Sequence, residues 1–229
     1  DARPLWQVRL GVWIYDLFSV GQRIRRSRFF NANEIIAQFP MIVREGLQGG
    51  VLYFDGQTDD AGLVRFNLSK ARQAGAEMLE NVRVEGFLKS EGRVTGVVAH
   101  DQQSSMEFTL RTRLVVSAAG SWTDLILKLD DPDALPELII SRGSHIVLKE
   151  SISETALVRP ASSGSVLLMN PWKGTTLVGT TDVPYEGDPG LLREAPPEDI
   201  SYLLAELGRV FEREFTRDDI KGSFVGIRP

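Results

Sequence analysis

With 229 residues, 42% of them hydrophobic and 25% charged, the chain reads as an ordinary soluble globular protein long enough to bury a sizeable core. A net charge of −5, from 26 basic and 31 acidic residues, excludes a general nucleic-acid binder, whose affinity rests on neutralising phosphates, but leaves room for a small anion held by two or three arginines. The absence of cysteine removes disulfides, thiolate nucleophiles and Cys-based metal sites, and the two histidines, His100 and His145, leave no multi-His metal site.

Residues 5–19 (LWQVRLGVWIYDLFS) are apolar around most of a helical circumference, which predicts a helix buried on several sides. The run from Leu5 to Val20 is interrupted by Gln7, Arg9 and Asp16, too short and too charged to span a bilayer. Arg23, Arg25, Arg26 and Arg28 follow and end in two phenylalanines. They form a solvated loop or a contact for anionic headgroups or an acidic partner. Asn33 is a cap for a short helix, NEIIAQF, that Pro40 helps to end. VLYFDG reads as a strand, and Asp59 and Asp60 open a helix to about Gly75 with Leu63, Phe66 and Ala71 on one face.

Strands VRVEGFL, VTGVVAH, MEFTLR and RLVVSAA come next, with Val82, Val84 and Phe87 as core candidates and Gly86 as the mark of a bulge. Ser121 and Asp124 have capping-box spacing before a helix, SWTDLILKL. Beyond the loop LDDPDALPEL come strands in ELIISRGSHIVLKE, SVLLMN and TTLVGTTDV. A helix runs from Glu198 to about Arg213, and a last strand lies in DIKGSFVGIRP. Two compositions are joined: residues 1–130 mix helices with a strand cluster, and residues 131–229 form an antiparallel sheet with one long helix. The first residue is Asp1, not Met, and the chain stops directly after a strand pattern, so an excised piece of a longer polypeptide is expected.

Four segments carry chemistry. In LVVSAAGSW an apolar strand runs through small residues into a helix start, whose N–H groups and dipole suit a phosphate; the same residues also serve packing alone. His145, in RGSHIV, is either a hydrogen-bonded core residue or the best general base in the chain, while His100 reads as surface. Thr181 and Asp182, in GTTDV, either line a cleft or make an Asx-type turn. Arg228, in GIRP, is either a surface arginine or one held to grip an anion.

In this order and spacing, and together with LGVWIYDLF after Arg3-Pro4-Leu5-Trp6, FDGQ, the Asp59-Asp60-Ala61 helix start, Asn170-Pro171-Trp172 and TRDDI, these segments resemble FAD-dependent glycerol-3-phosphate dehydrogenases over essentially the whole chain. The resemblance implies an α+β fold similar to D-amino-acid oxidase: part of an FAD domain in residues 1–130 and an antiparallel-sheet substrate cap in residues 131–229. The family's Gly-rich G-x-G-x-x-G turn is not in this sequence. FAD is therefore expected in the complete protein and not in this stretch alone, which by itself would be a non-catalytic binding module.

By the same resemblance, Ala118, Ala119, Gly120 and Trp122 neighbour the FAD pyrophosphate and Val84 lies near the adenine end. Relatives carry Thr-Gly-Pro where this chain has Ala119-Gly120-Ser121, a change expected to alter local rigidity more than chemistry. His145 is the base and faces the reacting carbon, Arg228 grips the phosphate or the oxygen at that carbon, and Thr181 and Asp182 line or support the cleft. The implied substrate is sn-glycerol 3-phosphate, the product dihydroxyacetone phosphate and the electron acceptor a quinone. A glycerophosphate oxidase or another flavin oxidase of the same fold is the alternative. A cytoplasmic location, peripheral on the inner face of the membrane, and a homodimer are further expectations, with no metal and no nucleic acid.

Overall fold

The computed structural model describes residues 4–21 and 24–229; Arg3 and Arg23, named above, lie outside the described residues. Contacts divide the chain into two units, residues up to Gly56 with Ile140–Arg228, and Gln57–Ile139 with Pro229. Among the described residues every strand pairing is antiparallel.

In the first unit, α1 (Leu5–Phe18) precedes a hairpin of β1 (Arg28–Asn31) and β2 (Gly49–Leu52), with α2 (Ala32–Gln38) between them. Helix α1 forms where its apolar pattern predicts, but none of its residues is buried and Trp13 is 60% exposed. An all-round apolar helix needs neighbours on all sides, and among the described residues α1 has a few contacts: Tyr15 donates to the Phe54 carbonyl and meets the Tyr53 ring, Asp16 accepts from Ser27, and Arg9 lies over the Phe29 ring. The cap of α2 is Asn31 and not Asn33. Asn31 Oδ1 accepts from Glu34 N–H while Glu34 accepts from Asn31 N–H, a reciprocal box that Asn33, two residues later, cannot make. Part of the basic stretch is thus a strand, in which Arg28 pairs with Glu34 and lies over the Phe30 ring.

The rest of this unit is a six-stranded sheet backed by one helix. Its strands are β6 (Ser141–Leu148), β7 (Leu157–Pro160), β8 (Val166–Trp172), β9 (Thr175–Gly179), β10 (Val183–Pro184) and β11 (Ile220–Arg228), in the order β10-β6-β9-β8-β7 with β11 also on β6. Helix α5 (Pro197–Val210) starts with proline at its first position and buries Asp199, Leu203, Glu206, Leu207 and Val210, one face at helical spacing. That face meets Ile146, Leu148, Leu167, Met169 and Val178 in a single core shared with Phe39, Ile42 and Phe211. Leu203 and Leu207 are fully buried, and each contributes about 1.5–3 kcal/mol.

The second unit holds α3 (Asp60–Gln73), the meander β3 (Val82–Ser90), β4 (Arg93–Asp101) and β5 (Met106–Arg111), and α4 (Thr123–Asp130). Asp59 caps α3 through Gly62 N–H, yet no residue of α3 is buried, so its apolar face is not a core face within this chain. The ladder of β3 on β4 shifts between Val84 and Gly86, the expected bulge. Val82, Val84 and Phe87 are only partly buried, because the meander's core is centred on Val97 and Ala99 of β4.

Two expectations fail here for stated reasons. Residues 113–119 join no ladder, and Leu114 and Val116 are 74% and 78% exposed; a strand needs a hydrogen-bonding neighbour, and β5 already ends at Arg111. The Ser121–Asp124 box does not form. A 3₁₀ turn at Gly120–Trp122 leads into α4, and the Asp124 carboxylate accepts instead from Glu137 and Leu138 N–H.

Candidate functional site

Alternation along β6 sorts its side chains. Arg142, Ser144, Ile146 and Leu148 point toward α5, and Gly143, His145 and Val147 point away. On the far face His145 lies directly across from Phe224 of β11 and Gly179 of β9. The imidazole stacks on the Phe224 ring, centroids 4.9 Å apart and 7° from parallel. A Cβ at Gly179 would run into the imidazole, and one at Gly143 would lie 2.5 Å from Thr180 Oγ1 and 3.5 Å from Arg228 Nη2. Both glycines are therefore required by close approach.

The His145 Nδ1 atom is buried and accepts or donates no hydrogen bond among the described residues. Burial, and secondly the charge of Arg228, hold the imidazole pKa below its ordinary 6.5, so the ring is neutral at neutral pH and free to take a proton. Arg228, at the end of β11, is half exposed, and its Nη1 lies 3.4 Å from Asp182 Oδ1. The face thus presents a neutral base, a cation with its counter-ion, and a ring platform.

Beneath it sits a buried polar cluster. Asp199, in the first turn of α5, takes Arg142 in a two-pronged grip, Nε to Oδ2 at 3.2 Å and Nη2 to Oδ1 at 3.0 Å. Its Oδ2 also accepts from Ser144 Oγ at 2.5 Å and Thr181 Oγ1 at 3.2 Å. Thr181 Oγ1 in turn accepts from Ser144 N–H at 2.8 Å. Burial alone would raise the Asp199 pKa, but hydrogen bonds from Arg142 and Ser144 outweigh it and hold the carboxyl below its ordinary range. Asp199 in turn raises the Arg142 pKa.

Of the residues singled out in the sequence, the structure brings His145, Arg228 and Asp182 together on one face. Thr181 is 3% exposed and turns its hydroxyl inward to Asp199. Val84, Ala118, Ala119, Gly120 and Trp122 belong to the other unit. Gly120 has φ +53° and nothing within 4 Å of where a Cβ would stand, Ala119 beside it is partly exposed, and Ala118 and Trp122 are exposed. Bare backbone flanked by small side chains and an exposed ring fits the approach of a large, anionic, planar cofactor. Sequence reading missed Phe224 and Asp199; the only signal for Asp199 was its place just after a Pro-Pro helix start.

The profile of the FAD dependent oxidoreductase family matches residues 7–229. The chain is 34% identical over 235 residues to the probable mitochondrial glycerol-3-phosphate dehydrogenase of Caenorhabditis elegans, covering 98% of this chain and 32% of that protein. It is 32% identical over 236 residues to the alpha-glycerophosphate oxidase of Streptococcus pneumoniae, covering 98% and 38%. The solved glycerol-3-phosphate dehydrogenase of Bacillus halodurans, complexed with FAD, superposes with a TM-score of 0.81 at 31% identity, covering 87% of this chain and 41% of that one. The chain spans well under half the length of these relatives.

Proposed function

The chain belongs to the FAD dependent oxidoreductase family, and from that membership we propose that the full-length protein oxidises the secondary alcohol of sn-glycerol 3-phosphate to dihydroxyacetone phosphate. The observation that carries the reading is the meeting of His145 and Arg228 on one sheet face, a neutral base within reach of a cation. Similarity at 34% and 32% to enzymes named for glycerol phosphate supports the substrate.

FAD, when bound, supplies the hydride acceptor for the reaction. His145 takes the proton of the C2 hydroxyl, so that the oxygen left behind can become the ketone. Arg228 holds the negative charge of the substrate by a two-pronged contact, and Asp182 sets the direction of its guanidinium. The stacked Phe224 ring and the close-packed Gly179 backbone fix the plane of the imidazole. Ala118, Ala119, Gly120 and Trp122 hold the pyrophosphate end of the cofactor, and Val84 lies by its adenine. Residues 1–130 then serve chiefly the cofactor and residues 131–229 the substrate.

A quinone is the proposed acceptor, reached by a peripheral position on the inner face of the cytoplasmic membrane, and a homodimer is the proposed assembly. No helix among the described residues is long and apolar enough to cross a membrane. The similarity to an alpha-glycerophosphate oxidase favours one second reading, in which molecular oxygen takes the electrons. Assay of the full-length protein with sn-glycerol 3-phosphate tests both. Dye or quinone reduction without peroxide supports the dehydrogenase reading, stoichiometric peroxide supports the oxidase, and turnover of an amino acid in place of the phosphate ester contradicts both.

A further inference from the structure

The segment between β9 and β10 contains one residue more than the strand it faces. His145 pairs with Gly179 and Arg142 with Val183. Between these pairs β6 supplies Gly143 and Ser144, while the opposite side supplies Thr180, Thr181 and Asp182. An extra residue on one side of an antiparallel pair reverses the alternation beyond it. In an unbroken ladder from Gly179, Thr181 would share the face of His145 and Asp182 would point toward α5. With the bulge the reverse holds: Thr181 reaches Asp199 beneath the sheet, and Asp182 meets Arg228 above it.

The buried cluster is what holds this phase. Thr181 N–H donates to the Ser144 carbonyl at 3.3 Å, Ser144 N–H donates to Thr181 Oγ1, and both hydroxyls donate to Asp199 Oδ2. Asp199 is itself locked by Arg142 from the same strand as Ser144. We infer that Asp199 is a positioning residue: acting from α5 through Thr181 and Ser144, it fixes the bulge that turns Asp182 onto the face of Arg228 and His145, and so sets the anion-binding geometry. Thr181 has no direct contact with substrate in this account. The inference rests on the proposed function for its kinetic consequence but not for its structural one.

The test uses the full-length, FAD-loaded protein and the variants Thr181→Val, Asp199→Asn and Asp182→Asn, Thr181→Val being the milder change should Asp199→Asn fail to fold. Amide hydrogen exchange is followed by mass spectrometry in peptides covering 141–146 and 179–184. Thr181→Val is expected to speed exchange there by about tenfold or more while the C-terminal turns of α5 stay unchanged. Unchanged exchange in both peptides overturns the inference whatever the substrate is.

The KM for sn-glycerol 3-phosphate is then read in a double-variant cycle. Asp182→Asn and Thr181→Val are each expected to raise it about tenfold, and the pair together no further, because both act through one contact. Effects that multiply to about a hundredfold would give Thr181 an independent role and overturn the inference. Absence of turnover in the unmutated protein would instead strike the proposed function and leave the exchange result to decide the role of Asp199.

Discussion

His145 meets two opposing requirements. Burial against Phe224 and Gly179 keeps it uncharged and fixed in plane, yet it leaves Nδ1 without a partner among the described residues, and a buried polar atom left so costs about 1–3 kcal/mol. A base must be neutral before it can act, and the lowered pKa provides that. Because the folded pKa lies below 6.5, kcat/KM is expected to be flat above neutrality and to fall on acidification with a midpoint under 6.5; a midpoint at or above that value would contradict the burial argument. His145→Ala is expected to lower turnover by about 10²–10⁴, measured by dye reduction at saturating substrate. Removing Asp199 is a stability matter as well. Asp199→Ala leaves the mostly buried Arg142 only its contact with the exposed Glu198 and takes the acceptor from the Ser144 and Thr181 hydroxyls, so denaturant unfolding should show a loss of about 3–5 kcal/mol. Since the folded Asp199 carboxyl lies below its unfolded value, its contribution is present above that unfolded value and lost as pH falls through the folded one.

At the scale of elements, the sequence was most legible where local chemistry decides. The strand in VRVEGFL, the helix that follows Pro196-Pro197 and the bulge at Gly86 all follow from short-range rules, and all are present. Replacing Asn31 by alanine should cost about 1 kcal/mol in thermal or denaturant unfolding, while Asn33→Ala should cost little, since only Asn31 caps α2. Legibility failed where an element depends on a distant neighbour. The run RLVVSAA has the composition of a buried strand but finds no ladder in this chain, and α1 has the composition of a buried helix but stays exposed. The site shows the same division. His145 and Arg228 were visible as motifs, but the inward turn of Thr181 depends on a one-residue mismatch between β6 and the segment after β9, and the role of Asp199 depends on where α5 lands. Neither can be read from spacing along the chain.

For the whole molecule, the residues proposed for the cofactor lie in the unit Gln57–Ile139, and those proposed for the substrate lie in the unit that joins Ile140–Arg228 to the residues up to Gly56. The described sequence carries no G-x-G-x-x-G turn, so the 229-residue chain purified alone is expected to be colourless; a yellow preparation with bound flavin would contradict the cofactor reading of residues 118–122 as a partial site. The central claim is that the full-length protein takes hydride from sn-glycerol 3-phosphate. Its most direct measurement is the visible absorbance of the bound flavin, without oxygen, when that substrate is added. The account predicts prompt bleaching, with one dihydroxyacetone phosphate formed per flavin reduced. Flavin that stays yellow while demonstrably bound would keep the family and the fold and contradict the substrate.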